Sequence, residues 1–172
     1  CTDDSSAAAT ASDSYVLTVT NTNDAPTLAT AQADASTAED ALYTLDVSGN
    51  FADVDVGDSL SYTATGMPTT MTMSTAGVLS GTPVNADVAA HTVVVTATDG
   101  TASVTDTFDV TVTNTNDAPT VASAISDVSS AEDAAYSLDV SGTCTDVDVG
   151  DSLAYTMSGA PSTLSIASGT IS

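Results

Sequence analysis

Residues 105–120 read TDTFDVTVTNTNDAPT and residues 12–27 read SDSYVLTVTNTNDAPT, so one segment occurs twice in this chain of 172 residues. From Phe108 to Val112 every second residue is apolar, and the same holds from Tyr15 to Val19. Alternation with a period of two and β-branched residues is typical of a half-buried strand. The proline that follows has a fixed φ and no backbone donor. Each copy is therefore predicted to be a strand followed by an interdomain linker.

The two copies lie 93 residues apart, and the same offset relates other segments of the chain. AED at 38–40 returns at 131–133, LDVSG at 45–49 returns at 138–142, and DVDVGDSL at 53–60 returns at 146–153. A repeat of this length is a whole domain rather than one turn of a solenoid. We therefore expect the last strands of a preceding repeat and a linker in 1–25, a complete repeat and its linker in 26–118, and the N-terminal part of a following repeat in 119–172.

Each repeat has the pattern of a β-protein. The segments ALYTLDV, LSYTATG, TMTMS, GVLSG and HTVVVTA read as further short strands, and Gly, Pro, Asn and Asp separate them. About seven short strands in a unit of roughly 100 residues indicate an Ig-like sandwich. The predicted fold is all-β, a tandem array of Greek-key β-sandwiches.

The charge of the chain excludes some partners. It has no Lys or Arg and 23 acidic residues, which gives a formal net charge of −23. Such a surface repels phosphate backbones, so we do not expect nucleic acid as a partner. Because 42% of the residues are hydrophobic, a folded core is expected. No apolar run is long enough to span a membrane, and no segment has the pattern of a signal peptide.

Acidic residues cluster at repeated positions. Asp53, Asp55 and Asp58 are mirrored by 146, 148 and 151, and the only two glutamates, Glu39 and Glu132, occupy one repeat position. Neighbouring carboxylates repel one another unless a cation lies between them. Oxygen ligands without His or Cys suit Ca²⁺ rather than zinc. An EF-hand is excluded because its twelfth position holds Ala64 or Met157. The alternative is that these residues only form Asx-turns in solvated loops.

With these motifs in view, the repeat resembles the bacterial cadherin-like repeat, which is related to dystroglycan-type cadherin-like and Ig-like modules of large surface adhesins. VTVTNTNDAP, FADVDVGDSLSYTATG and GVLSGTPVN carry the resemblance, which covers nearly the whole chain. It implies that Ca²⁺ binds between successive domains. NTND resembles the cadherin linker, DVD resembles the D-x-D motif, and Asp99 resembles the late Asp of the family.

The resemblance implies a set of ligands at each junction. The first junction would use Asn23, Asp24, Asp53, Asp55 and Asp99, with a carbonyl of Asn21 or Thr22. The second would use Glu39, Asn116, Asp117, Asp146 and Asp148. The linker opens with Asn where cadherins have Asp, and LSGTP replaces their LDRE-type motif. These departures imply about one or two ions per junction, bound weakly.

The two cysteines, Cys1 and Cys144, align with Ala97 and Phe51 of the complete repeat. If positions 51 and 97 are in contact in the complete repeat, the equivalent positions elsewhere could hold a disulfide instead. That bond would join Cys144 to the Cys1 position of another copy or repeat. Within one chain the two residues lie in different modules, too far apart for a bond. The alternative is two unpaired small hydrophobic residues.

An enzyme is not expected, because the single histidine, His91, has no evident nucleophile or cationic residue to act with. The sequence favours a non-catalytic repeat of an extracellular prokaryotic surface adhesin or filament, with calcium making its junctions rigid. Its partners would be neighbouring repeats or copies, or other surface proteins and glycans. Two alternatives stay open: a fibre subunit joined head-to-tail by strand complementation, and a carbohydrate-binding module.

Overall fold

The computed structural model describes residues 10–172, and its regular elements are short β-strands and two single 3₁₀ turns, Ser48–Asn50 and Asn85–Asp87. The strands are β1 Thr27–Leu28, β2 Ala35–Ala38, β3 Tyr43–Asp46, β4 Phe51–Ala52, β5 Ser61–Thr65, β6 Met71–Met73, β7 Val78–Gly81, β8 Ala90–Thr98, β9 Ser103–Thr113, β10 Thr120–Val121, β11 Leu138–Asp139, β12 Cys144–Thr145, β13 Ile166–Ala167 and β14 Thr170–Ile171.

Strands β2, β3 and β5 to β9 form two sheets, and β4 pairs separately with β1. One sheet has the order β2-β9-β8-β5 and the other β3-β7-β6, so the chain crosses between sheets after β2, β3, β5 and β7. Strand β2 runs parallel to β9, with Ala35 beside Val110 and Ala38 beside Thr113, and the other pairs are antiparallel. This arrangement is an Ig-like β-sandwich, as the sequence predicts.

The core lies between the two sheets, where the apolar face of each strand is covered by the other sheet. Val93, Val95 and Ala97 of β8 are fully buried, and so is Val110 of β9. Near one end of the core the Phe51 and Tyr62 rings meet edge to face, with centroids 5.7 Å apart. Period-two alternation in β8 and β9 therefore places the apolar side chains inside, as expected for strands with one buried face.

Strands β3 and β5 to β9 coincide with the segments that alternation predicts. Strand β2 was not predicted, because ASTA has no large apolar residue and its pairing with β9 is a long-range contact. The pair β1–β4 was missed because each strand has two residues, too few to show an alternating pattern, and the pairing joins distant segments.

Residues 119–172 repeat only part of this arrangement. The pair β10–β12 corresponds to β1–β4, and the sheet β11-β14-β13 corresponds to β3-β7-β6. The four-stranded sheet has no counterpart within this range.

The expectation of a half-buried strand at residues 15–19 is wrong. This segment is not in a strand, and Tyr15, Leu17 and Val19 are 89%, 77% and 84% exposed. The equivalent Phe108 and Val110 are buried. Among the described residues, no strand pairs with residues 12–20, and a strand needs such a neighbour for its backbone hydrogen bonds and its apolar face.

Candidate metal centre

The linker before the complete repeat contacts two loops of that repeat. The backbone N–H of Asp24 donates to Asp55 Oδ2 at 2.7 Å. The side-chain amide of Asn23 donates to Asp99 Oδ2 at 3.1 Å and to the carbonyl of Asp24 at 2.8 Å. Residues that are 31 and 76 positions apart are thereby brought together. Five residues predicted for the first junction, Asn23, Asp24, Asp53, Asp55 and Asp99, lie in this group of linker and loops.

The loop between β4 and β5 gathers three carboxylates. Oxygens of Asp53, Asp55 and Asp58 lie within 4.8 Å of one another. The Asp53 Oδ1 atom accepts a hydrogen bond from the N–H of Asp55 at 2.9 Å, an Asx-turn. Gly57, with φ +106°, allows the loop to turn back. Asp53 Oδ2 is buried and has no hydrogen-bond partner. The Asx-turn is present, but it leaves this oxygen free for another ligand.

Asp99 is held by the turn after β8. Its Oδ1 atom accepts hydrogen bonds from the backbone N–H groups of Thr101 and Ala102, at 2.6 and 2.7 Å. The bonds from Ala102 and Thr101, together with the one from Asn23, lower the pKa of Asp99 below its usual value. The carboxylate therefore stays ionised at the edge of the first junction.

The linker after the complete repeat contacts the acidic loop of the next unit as the first linker contacts residues 53–55. The N–H of Asp117 donates to Asp148 Oδ2 at 2.7 Å, and the N–H of Asp148 donates to Asp146 Oδ1 at 3.0 Å. Oxygens of Asp146, Asp148 and Asp151 lie within 4.8 Å of one another. Asp148 is buried, and its Oδ1 atom has no hydrogen-bond partner. The 93-residue repeat therefore extends to the hydrogen bonds of the junction.

Glu39 faces the same linker from the end of β2. Its side chain is 1% exposed, and Oε1 accepts a hydrogen bond from the N–H of Thr115 at 2.9 Å. The Oε2 atom has no hydrogen-bond partner. Oxygens of Glu39, Asp40 and Asp117 lie within 4.8 Å of one another. The second junction therefore contains two adjoining carboxylate clusters, which the backbone of Asp117 connects.

The structure adds two residues that the sequence did not indicate. Asn85, in the second 3₁₀ turn, donates its side-chain amide to Asp117 Oδ2 at 2.8 Å, and its own Oδ1 atom is buried without a partner. Asp40 adopts φ +58°, which directs the chain so that its N–H reaches the carbonyl of Pro83 at 2.9 Å. In the sequence, Asn85 lies in the segment GTPVN. This segment occurs once in the chain, so the repeat did not mark Asn85 as a candidate ligand.

Two of the predicted ligands, Asn21 and Asn116, make few or no side-chain hydrogen bonds at the junctions. The Asn21 side chain is exposed and makes no hydrogen bond with the described residues. Asn116 is also exposed, and its amide donates only to the carbonyl of Asp117, at 2.8 Å. Asn116 therefore shapes the linker, as Asn23 does in the first copy.

The donor set fits a hard cation. Each junction offers carboxylate and amide oxygens, and the second has buried oxygens of Glu39, Asn85 and Asp148 without partners. At about 4.8 Å and an effective dielectric constant of ~20, each ionised pair repels by roughly 3 kcal/mol. No Lys or Arg is present to offset this repulsion. Six to eight oxygen ligands around Ca²⁺ can combine these side chains with backbone carbonyls and water.

Cys144 and His91 are not members of these clusters. Cys144 is a half-buried free thiol in β12, whereas Cys1 lies outside the described residues, so their proposed disulfide stays a prediction. The Nε2 atom of His91 is 2.7 Å from the carbonyl of Asp87. This contact gives the histidine a structural partner at the start of β8.

Comparison with known families agrees with this fold. The model of a family described as "Putative Ig domain" (He_PIG) matches residues 25–113 and 118–172. The chain belongs to this Ig-domain family. The two matched ranges of the Ig-like repeats begin 93 residues apart, at Ala25 and Ala118. The narrower cadherin-like resemblance stays a prediction. A search of curated proteins found no match.

Several solved structures are similar to these Ig-like repeats. An endo-fucoidan hydrolase of glycoside hydrolase family 107 is 25% identical over 89% of this chain and 24% of its own, with a TM-score of 0.46. A SusE-like surface located polysaccharide binding protein of Bacteroides thetaiotaomicron is 22% identical over 53% of this chain and 16% of its own, with a TM-score of 0.37. The titin domains z1z2, in complex with telethonin, are 19% identical over 59% of this chain and 54% of their own, with a TM-score of 0.36.

The chain therefore spans at most about half the length of these three proteins, and at such TM-scores the likenesses carry no argument about function. In the part of the chain that the structure describes, no helix has the length and apolar character needed to cross a membrane.

Proposed function

We propose that this chain is a non-catalytic spacer of a prokaryotic surface adhesin or filament, in which Ca²⁺ binds at the domain junctions and makes them rigid. The observation that carries the proposal is the set of buried oxygens without partners, Glu39 Oε2, Asn85 Oδ1 and Asp148 Oδ1, on both sides of Asp117. A buried carboxylate is costly unless it is paired, and no basic side chain is available.

The ligands come from both sides of the junction. Glu39, Asp40 and Asn85 belong to the complete repeat, Asp117 belongs to the linker, and Asp146, Asp148 and Asp151 belong to the following unit. A cation bound to such a set connects the two domains and offsets the repulsion between their carboxylates. Without it, the linker donates to the acidic loop of the following unit through the hydrogen bond from Asp117 to Asp148. Calcium would therefore fix the angle between successive domains.

The weak affinity expected of such a site agrees with the proposed location. Extracellular calcium modules bind with Kd values of roughly 10⁻⁴ to 10⁻³ M, and calcium outside cells is abundant enough to fill them. An acidic surface without Lys or Arg also keeps extended copies apart and soluble.

The repeat supplies a matched pair of variants for the test. Glu39→Gln removes the buried carboxylate of the second junction, whereas Glu132→Gln makes the same change at the equivalent, exposed position. Calcium binding would be measured by isothermal titration at low protein concentration. We expect Glu39→Gln to weaken binding at one class of sites by about tenfold or more, and Glu132→Gln to leave it unchanged.

The mechanical part of the proposal has its own readout. In small-angle scattering, the distribution of distances between the two units should narrow when calcium is added and broaden when a chelator removes it. At a calcium concentration of about 100 Kd, the bound form should also gain roughly 2.7 kcal/mol of stability. If chelation changes neither the distance distribution nor the unfolding midpoint, the proposal is wrong.

A further inference from the structure

Strand β2 is bonded to β9 although it adds little to the core of the complete repeat. Its sequence is ASTA, and none of its four residues is fully buried. It nevertheless pairs with β9 over its whole length, from Ala35 beside Val110 to Ala38 beside Thr113. The main contribution of β2 to the sandwich is therefore its pairing with β9, not the burial of apolar side chains.

Further hydrogen bonds continue this pairing before and after β2. Each of them joins one residue of the segment 32–39 to one residue of the segment 106–115, and these two segments together are the clamp. The bonds run from the N–H of Gln32 to Asp106 Oδ2 at 2.7 Å, from the N–H of Asp109 to Asp34 Oδ1 at 2.9 Å, from the hydroxyl of Thr113 to the carbonyl of Thr37 at 3.3 Å, from the N–H of Glu39 to the carbonyl of Thr113 at 3.0 Å, and from the N–H of Thr115 to Glu39 Oε1 at 2.9 Å.

The two linkers leave the complete repeat at opposite ends of β9. The first linker is bonded through Asn23 to Asp99, in the turn before β9, and the second follows Thr113, the last residue of β9. Strand β9 has 11 residues and is about 35 Å long. Because β2 runs parallel to β9, tension on both linkers pulls β2 towards the start of β9 and pulls β9 the other way. Tension therefore shears the clamp along its length.

We propose that the clamp bears tension that passes along the chain through the complete repeat. When two strands are sheared, the hydrogen bonds between them are stretched together, whereas strands that are pulled apart from one end lose these bonds one after another. Shear therefore raises the barrier that limits the rate of forced unfolding. Strand β1 lies earlier on the same path but has only two residue pairs, Thr27 with Ala52 and Leu28 with Phe51. The clamp is therefore the main barrier.

Bearing tension extends the proposed function and rests on it, because a spacer between a cell surface and an adhesive tip transmits force. The hydrogen bonds of the clamp form without a bound ion, so the clamp is tested with a chelator present. A repeat without calcium sites can still bear tension, and a repeat with calcium sites can lack a clamp. The two proposals therefore fail separately.

The test is single-molecule force spectroscopy on the full chain, with Cys1 and Cys144 replaced by Ser and handles attached at introduced cysteines. Asn21→Cys with Ala118→Cys pulls the two linkers and shears the clamp. Leu42→Cys with Ala118→Cys pulls from one end, because Leu42 closely follows β2 and Ala118 closely follows β9. All three positions are exposed. We expect the rupture force in the first geometry to be about twofold higher or more.

A matched pair of variants tests the bonds of the clamp. Asp34 and Asp46 are both exposed, and each accepts one backbone N–H at 2.9 Å. The bond to Asp34 comes from Asp109 across the clamp, whereas the bond to Asp46 comes from Ser48, two residues away. In the shear geometry at constant force, Asp34→Ala should speed unfolding about five- to tenfold, the equivalent of one hydrogen bond. Asp46→Ala should leave the rate unchanged.

Two results would overturn the inference. The first is an equal rupture force in the two pulling geometries, which would show that the direction of load on β2 and β9 does not matter. The second is an equal acceleration of forced unfolding by Asp34→Ala and Asp46→Ala, which would show that the barrier does not lie at the clamp.

Discussion

The buried carboxylate of Asp87 gives a prediction whose magnitude follows from the structure. Asp87 is 1% exposed and accepts four hydrogen bonds. They come from the N–H and hydroxyl of Thr69 at 2.7 and 2.8 Å, the hydroxyl of Thr70 at 2.7 Å and the N–H of Val84 at 3.3 Å. They tie the loop before β6 to the turn that carries Asn85 of the candidate metal centre.

These bonds determine the ionisation of Asp87. Burial alone would raise its pKa, but the hydrogen bonds from Thr70, Thr69 and Val84 outweigh burial and lower the pKa to about 2. The unfolded value is 3.8, so the shift corresponds to about 2 kcal/mol in favour of the folded, ionised state. Because the folded pKa is the lower one, this stability is fully present above the unfolded pKa. It is lost as the pH falls through about 2.

Asp87→Asn tests this reasoning, because the amide keeps the shape of the side chain but not its charge. It presents a donor where the N–H of Val84 and the hydroxyl of Thr70 need an acceptor. At about pH 6 we expect the variant to lose roughly 2 kcal/mol or more of unfolding free energy. Towards pH 2 that difference should shrink by about 2 kcal/mol.

The assay is urea unfolding followed by far-ultraviolet circular dichroism, at several pH values between about 6 and 2. Asp127→Asn is the matched control, because Asp127 is exposed and its side chain accepts no hydrogen bond. The control should unfold like the unmodified chain throughout. A destabilisation by Asp87→Asn that is the same at both ends of the pH range would refute the assigned role of the charge. A loss well under 1 kcal/mol at pH 6 would show that the four hydrogen bonds contribute little.

Two further predictions concern packing in the complete repeat. Gly81→Ala should lower the free energy of unfolding by about 1 to 3 kcal/mol, because the added Cβ would lie 2.5 Å from the carbonyl oxygen of Thr70. Gly49→Ala is the control, because its Cβ would have nothing within 4 Å. Equal melting temperatures for the two variants would contradict the close approach at Gly81. Val95→Ala should cost about 2 to 3 kcal/mol in chemical unfolding because Val95 is fully buried, whereas Val56→Ala, in an exposed loop, should cost almost nothing. Similar losses for both valines would mean that β8 does not form the core.

Local pattern was sufficient to predict most strands of the complete repeat. In β9 polar and apolar residues alternate from Thr107 to Thr113, and in β8 burial alternates, because each strand has one face against the core and one outside it. The clusters 53–58 and 146–151 were also visible in the sequence, because residues close in the chain remain close in a short loop. Strand β2 was not visible, since its short ASTA segment becomes a strand only through its pairing with β9.

The candidate metal centre was predictable in its linker and its acidic loops, but not in full. Asn85 and Asp40 joined it only in the structure, where the turn after β7 comes to lie beside Asp117. The contact between Asn85 and Asp117 spans 32 residues and has no repeated counterpart that could have indicated it.

The sequence by itself determined the repeat length, the β-sandwich class and the acidic character of the junctions, since each depends on residue type and spacing along the chain. Only the tertiary structure decided which equivalent residues are buried. Glu39 is buried and Glu132 is exposed, although both occupy one repeat position. Likewise, Val110 is in the core while Leu17 is in solvent. The physical reason is that an alternating segment has an apolar face in either case, but that face is buried only where distant strands supply a surface to cover it.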